Sequence, residues 1–260
     1  MFRRIAVFSY GVTCYIAFLV AFLYAVGFLG NFGVPKAIDS GRDVLLGTAL
    51  AIDLGLLGLF AIQHSVMARQ WFKRAWTRIV PAPAERSTYV LFSSLALSLL
   101  FLKWQPIGGT VWNVSEGTGK LVLHALYGGG WLIVLVSTFL INHFDLFGLR
   151  QVWLYLRGVP YTPLKFRTPG LYRVVRHPLY FGWMLVFWAA PTMTIAHLIF
   201  ALATTAYILI AIQPEERDLS KMHPEYQVYR MEVPMILPIG SSNGGKKKEV
   251  QKKNAALLES

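Results

Sequence analysis

Apolar residues fall into five long runs separated by basic loops. The first, Ile5 to Leu29, exceeds the roughly 20 residues that a bilayer-spanning helix requires. It is too long for a secretory signal peptide and lacks a clear small-residue cleavage site. Further runs cover Val44 to Val66, Ser87 to Trp104 and Leu121 to Ile141. The fifth, Tyr180 to Ile212, holds 33 residues without an acidic or basic side chain other than His197. At about 1.5 Å per residue that is far more than one crossing of a ~30 Å hydrocarbon core needs. Ala190-Pro191-Thr192-Met193-Thr194 lies in its middle, and proline there removes a helical donor and clashes with the preceding turn. The pattern predicts two helices joined by a tight turn, the first too short to cross squarely. The expected fold is all-α: a polytopic transmembrane bundle of four spanning helices plus a C-terminal helical hairpin, five to six membrane segments in total.

Composition agrees. Hydrophobic residues make up 55% and charged residues 15%, with mean hydropathy +0.48. Soluble domains run at roughly 45–50% and about 25%. An ordinary soluble enzyme, a disordered chain and a fibrous repeat are excluded. Cys14 is the one cysteine, so no internal disulfide forms; it reads as a packed or lipid-facing thiol, and the sequence suggests no metal site.

The net charge of +12 comes from 25 Lys and Arg against 13 Asp and Glu. Cytoplasmic loops of membrane proteins collect such residues. With the N-terminus inside, all of them except Lys36, Arg42, Lys103 and Lys120 fall on that side. This accounts for the charge without nucleic acid as a partner. Both termini are then cytoplasmic, in a chain expected in a bacterial inner membrane. Residues 1–240 read as one membrane-embedded domain, and 241–260 as a flexible basic tail with a weak attraction to anionic lipid.

Ionisable side chains are costly at a membrane and mark function there. Arg173-Val174-Val175-Arg176-His177-Pro178-Leu179-Tyr180 precedes the hairpin, and Gln213-Pro214-Glu215-Glu216-Arg217-Asp218 follows it. The hairpin returns the chain to its starting side and so brings Arg176 and His177 near Glu215 and Glu216. Two cations facing two carboxylates suit a zwitterion such as an amino-acid head group. The plainer alternative is a positive-inside anchor with proline in the first helical turn, followed by a solvated helix exit.

Arg176-His177-Pro178-x-Tyr180-x-Gly182-Trp183 with Glu215-Glu216, followed by Pro224-Glu225-Tyr226-Gln227-Val228-Tyr229, resembles the signature of integral-membrane methyltransferases. That superfamily includes isoprenylcysteine carboxyl and phospholipid methyltransferases. Gln63-His64-Ser65, Glu85-Arg86-Ser87-Thr88-Tyr89 and Asn142-His143-Phe144-Asp145-Leu146-Phe147-Gly148 are similar to the bacterial methanethiol S-methyltransferase branch, related to NnrU-like proteins. The resemblance implies S-adenosylmethionine as methyl donor, bound at the cytoplasmic face by Tyr172, His177, Pro178, Leu179, Tyr180 and Glu215, with Arg176 and Glu216 contributing. It implies methylation of methanethiol to dimethyl sulfide. Another thiol, an isoprenoid carboxylate or a lipid amine remains an open acceptor. A small transporter with Asp53 on its pathway is the reading from a different class.

Transfer to a thiol requires loss of a proton, because the thiolate is the nucleophile. His64, at the inner end of the second helix, and His143 and Asp145, just past the fourth, are the candidate proton acceptors, with Glu216 a further one. The plain alternatives are interfacial hydrogen bonding for the histidines and an Asp145–Arg150 loop ion pair. Asp53 reads as a mid-membrane helix–helix hydrogen bonder, and His124 and His197 as structural residues toward the other side. Gly128-Gly129-Gly130 reads as a close-packing site rather than a nucleotide loop. Pro214 is expected to end the last helix. Tyr226 and Tyr229 lie on an expected short amphipathic helix, read either as a cover over the donor or, more plainly, as a membrane-surface helix.

Overall fold

A computed structural model describes residues 1–41 and 44–238; Arg42 and the basic segment 241–260 lie outside the described residues. Helix α1 (Phe2–Gly30) ends at Asn31 in the left-handed conformation, φ 57°, which satisfies a trailing carbonyl of the last turn. It is followed by α2 (Leu46–Ala68), the short α3 (Gln70–Trp76), α4 (Glu85–Lys103) and α5 (Gly117–Ile141). Two short helices, α6 (His143–Leu146) and α7 (Leu149–Arg157), occupy the polar stretch after α5. The chain then forms α8 (Pro178–Trp188), α9 (Ile195–Met222) and α10 (Glu225–Glu232).

Among the described residues, four helices are long and apolar enough to cross a membrane: α1, α2, α5 and α9. With the exposed apolar side chains along them, such as Leu23, Ile62, Leu132 and Ile210, they define an integral membrane protein. Helix α4 is 19 residues long and packs on both α1 and α2. Its buried Ser87, Thr88, Ser93 and Ser94 make it more polar than the other long helices.

The hairpin forms as its sequence predicts. Helix α8 has Pro178 at its start, where a missing N–H costs nothing. It spans 11 residues, about 16 Å, roughly half a hydrocarbon core. Thr194 caps α9 by accepting the His197 N–H. Between the two helices lies a feature the all-α expectation did not contain: β2 (Thr192–Thr194) pairs antiparallel with β1 (Thr110–Asn113). Trp112 Nε1 donates to Ala190 O at 3.0 Å, and Val114 N to Pro191 O at 2.9 Å. The hairpin tip is thereby tied to the α4–α5 connection.

Pro214 does not end α9, which continues to Met222. One intrahelical hydrogen bond is lost there. The turn that follows is held instead by side-chain bonds from Glu215 and Glu216 to residues around α8 and α10. Tertiary contacts outweigh the local penalty.

The apolar core gathers Phe28, Leu100, Phe101, Trp104, Trp131, Phe187 and Phe200. Cys14 is fully buried. Asp53 is also fully buried, but it lies only two turns into α2 and accepts the backbone N–H of Gln105, just past α4, at 2.8 Å. It ties two elements near that end of the bundle rather than at mid-membrane. His197 faces Phe187 O at 3.1 Å, at the tip end of the hairpin.

Candidate active site

At the opposite end from the β1–β2 pair, the residues before α8 meet the last turns of α9. Glu216 is 3% exposed and is surrounded by donors. Its Oε1 accepts from Arg176 Nε at 2.7 Å, His177 Nε2 at 3.1 Å and the Tyr226 hydroxyl at 3.1 Å. Its Oε2 meets Arg230 Nε at 3.1 Å. Arg176 also donates through Nη1 to the carbonyls of Arg230 and Val233, at 2.8 and 2.6 Å. The backbone N–H groups of Arg176 and His177 donate to Pro234 O and Met235 O. One buried carboxylate thus joins the Arg-His-Pro corner, α9, α10 and the strap of residues 233–236.

The predicted quartet is therefore brought together but divided. Both Arg176 and His177 face Glu216. Glu215 instead takes a hydrogen bond from Tyr180, OH to Oε2 at 2.7 Å. Four further tyrosines, Tyr89, Tyr172, Tyr207 and Tyr226, lie within electrostatic reach of its carboxylate. They come from α4, the turn before α8, α9 and α10. His177 stacks on Tyr180, ring centroids 5.4 Å apart. Pro178 is buried behind them, and Leu179 is half-buried. A carboxylate beside a tyrosine ring is suited to interact with a cation, through charge and through the ring face.

The tyrosines of the surface elements keep their protons. Burial, reinforced by the charge of Glu216, pushes Tyr226 well above the usual phenol range. Burial raises Tyr229 to about 12. Burial, with the charge of Glu215, raises Tyr172. Tyr229 donates to the backbone carbonyl of Tyr172, so α10, the short helix expected there, is tied to the turn that carries Tyr172.

The three candidate proton acceptors have different surroundings. His64 reaches the tyrosine group: the Tyr89 hydroxyl is 3.0 Å from its Nδ1 and 2.8 Å from its Nε2. Ser93 Oγ is 3.2 Å from Nδ1. The next residue, Ser65, shares a hydrogen bond with the Tyr207 hydroxyl at 3.0 Å. Two tyrosines therefore connect α2 to the neighbourhood of Glu215. His143 has both ring nitrogens occupied, by Tyr15 OH at 2.8 Å and Thr138 Oγ1 at 2.9 Å. It stacks on Phe139 with centroids 4.3 Å apart, and burial lowers its pKa. Asp145 pairs with Arg150 at 2.8 Å and accepts from Tyr161 at 3.4 Å. Neither bonds to a member of the Glu215–Glu216 group.

Tyr89, Tyr207 and Arg230 were not identified as site residues from the sequence. Tyr89 lay inside a quoted motif, which was its signal. Tyr207 and Arg230 carried none, because only the packing of α9 and α10 gives them neighbours.

A membrane-embedded helical chain with a buried carboxylate, Glu216, bonded into an Arg-His-Pro corner matches the class of integral-membrane methyltransferases. Comparison with known proteins sharpens this. A family described as a protein of unknown function, DUF1295, matches residues 61–233. The chain is 61% identical over 236 residues to the methanethiol S-methyltransferase of Crocosphaera subtropica, covering 90% of this chain and 92% of that one. It is 54% identical to methanethiol S-methyltransferase 2 of Bradyrhizobium diazoefficiens, over 92% of each chain. It is 52% identical to the Mycobacterium tuberculosis methanethiol S-methyltransferase, over 91% of this chain and 97% of that one. No solved structure matches. The chain belongs to the DUF1295 family and, with these relatives, to the methanethiol S-methyltransferases; it is a methyltransferase.

Proposed function

We propose that this enzyme transfers a methyl group from S-adenosylmethionine to methanethiol, giving S-adenosylhomocysteine and dimethyl sulfide, at the cytoplasmic face of a bacterial inner membrane. The observation that carries the reading is the division of the two acids: Glu216 is spent on Arg176, His177 and Arg230, and Glu215 is presented to a wall of tyrosines. The residues fit a cationic donor. Glu215 receives its positive charge, while Tyr172, His177, Pro178, Leu179 and Tyr180 form the walls. Arg176 and Glu216 hold the corner in shape. The positive-inside distribution of Lys and Arg supports the assigned side.

S-adenosylmethionine, when bound, supplies a methyl on a positively charged sulfur that leaves as a neutral thioether. The chain supplies the rest. His64 takes the thiol proton on a ring nitrogen, and Tyr89 holds the imidazole in place. The freed sulfur electron pair is then available to a donor held there, whose methyl would form the new S–CH₃ bond as its old C–S bond breaks. Fixing both sulfurs in line removes much of the entropic part of the barrier. Because a thiolate and a sulfonium neutralise each other along the path, an apolar, water-poor site favours the step. His143 and Asp145 serve the same face through structure: His143 locks α6 against α1 and α5, and Asp145 anchors the α7 approach through Arg150.

The test is direct. Purified protein in lipid, given S-adenosylmethionine and methanethiol, yields both products in equal amounts. Donor binding without product from any thiol would overturn the acceptor assignment, and absence of donor binding would overturn the site.

A further inference from the structure

On α2, the imidazole of His64 is flanked by aromatic rings. Phe60 lies one turn before His64, and its ring is stacked on the imidazole at 5.2 Å, with 27° between planes. Phe60 also meets Tyr207 of α9 nearly edge-on, centroids 6.4 Å apart. Tyr207 is held in that position by its hydrogen bond to Ser65. Tyr89 covers the other side of His64, at 5.0 Å. Phe60 is half-buried, as His64 is, whereas its neighbour Leu59 is 48% exposed. The ring of Phe60 therefore lies against one face of the imidazole, and Leu59 does not.

This arrangement bears on substrate size and rests on the reading of His64 as proton acceptor. A thiol sulfur that gives its proton to His64 must carry its alkyl group past these rings. We infer that Phe60, wedged between His64 and Tyr207, is a specificity-determining residue that limits the acceptor to a thiol with a very short alkyl chain. Each added methylene meets the face of Phe60 or the edge of Tyr207, and neither can withdraw without giving up its stack or its hydrogen bond. The closed aromatic wall, and not a charged contact, discriminates among thiols.

The experiment compares kcat/KM for 1-propanethiol and for methanethiol in the purified protein in lipid. The variants are Phe60→Ala, Phe60→Leu and Leu59→Ala, with affinity for S-adenosylhomocysteine as the check on folding. One methylene in an apolar pocket is worth roughly tenfold or more in discrimination. The propanethiol-to-methanethiol ratio should therefore rise at least about tenfold in Phe60→Ala. Phe60→Leu should raise it by a smaller factor, and Leu59→Ala should leave it at the wild-type value. Phe60→Leu keeps the test decisive if the alanine variant loses affinity for S-adenosylhomocysteine. Unchanged ratios in both Phe60 variants, or an equal rise in Leu59→Ala, would overturn the inference. Wild-type protein that methylates neither thiol would instead overturn the proposed reaction, so the two failures are distinguishable.

Discussion

Gly130 of α5 and Gly182 of α8 face one another across the helix pair. A Cβ built on Gly182 would meet Gly130 O at 2.8 Å and Val134 N at 3.0 Å, and one built on Gly130 would meet Gly182 O at 2.9 Å. The obstacles are backbone atoms, which cannot rotate away. Gly128 and Gly129 have open space instead. Gly182 lies between Tyr180 and Trp183 in the motif, so its close approach sets the position from which Tyr180 reaches Glu215. Gly182→Ala should push α8 off α5, cost roughly 1–3 kcal/mol as an overpacking change, and lower the melting temperature and donor affinity together. Gly129→Ala, with space to spare, should do neither. Thermal unfolding and calorimetric binding of S-adenosylmethionine on the two variants check this.

The adjacent acids should respond to the same substitution in opposite ways. Glu216 is buried with Arg176 and His177 on one oxygen and Arg230 on the other. Removing its charge leaves Arg176 10% exposed and without its counter-ion, and breaking such buried pairs costs about 3–5 kcal/mol. Glu216→Gln should therefore lower stability first and affect binding through it. Glu215 holds one hydrogen bond, from Tyr180, and a glutamine side chain can still accept it. Glu215→Gln should keep the melting temperature of the wild type while weakening S-adenosylmethionine at least about tenfold, because a charge-assisted contact is lost. A Glu215→Gln protein with unaltered donor affinity would show that the cation is received elsewhere.

His64 is the candidate acceptor that joins the tyrosine group through Tyr89. His64→Ala should lower kcat on methanethiol by about 10²–10⁴, the usual contribution of a positioned base, with donor affinity kept. Tyr89→Phe should lower it less, since the imidazole loses its orientation but not its basicity. Asp145→Asn should leave kcat on the order of the wild-type value once corrected for folded protein, because Asp145 bonds to Arg150 and Tyr161 and not to the His64–Tyr89 pair. Single-turnover measurements at saturating donor separate these outcomes.

The sequence made the membrane runs legible because a 33-residue apolar stretch broken at Pro191 has few physical solutions. The pairing of Arg176 and His177 with the acidic pair was legible for the same reason, since a hairpin must return its end to its beginning. The partition within the pair was not. Which carboxylate meets Arg176 depends on the rotation of α9, and that depends on α10 and Arg230, whose packing leaves no periodic signal. The continuation of α9 through Pro214 leaves no local signal, because the bonds that offset proline's penalty come from Arg176, Tyr180 and Tyr226 elsewhere in the chain. The β1–β2 pairing joins segments some 80 residues apart, as in Thr110 against Thr194, with no alternation long enough to announce it.

His143 offers a pH test with a definite sign. Burial lowers its pKa, and Tyr15 and Thr138 occupy its nitrogens. In the unfolded chain a histidine titrates near ~6.5. Below that value the unfolded state binds a proton that the folded state resists, so stability falls as pH falls and is fully retained above it. The melting temperature of the wild type should drop between about pH 7.5 and about pH 5.5. His143→Gln keeps a polar side chain at the Tyr15–Thr138 position but cannot be charged. It should start less stable and show a shallower acid slope over the same window. An equal slope in the two proteins would assign the acid lability to other groups and would leave His143 without the role of a buried neutral strut.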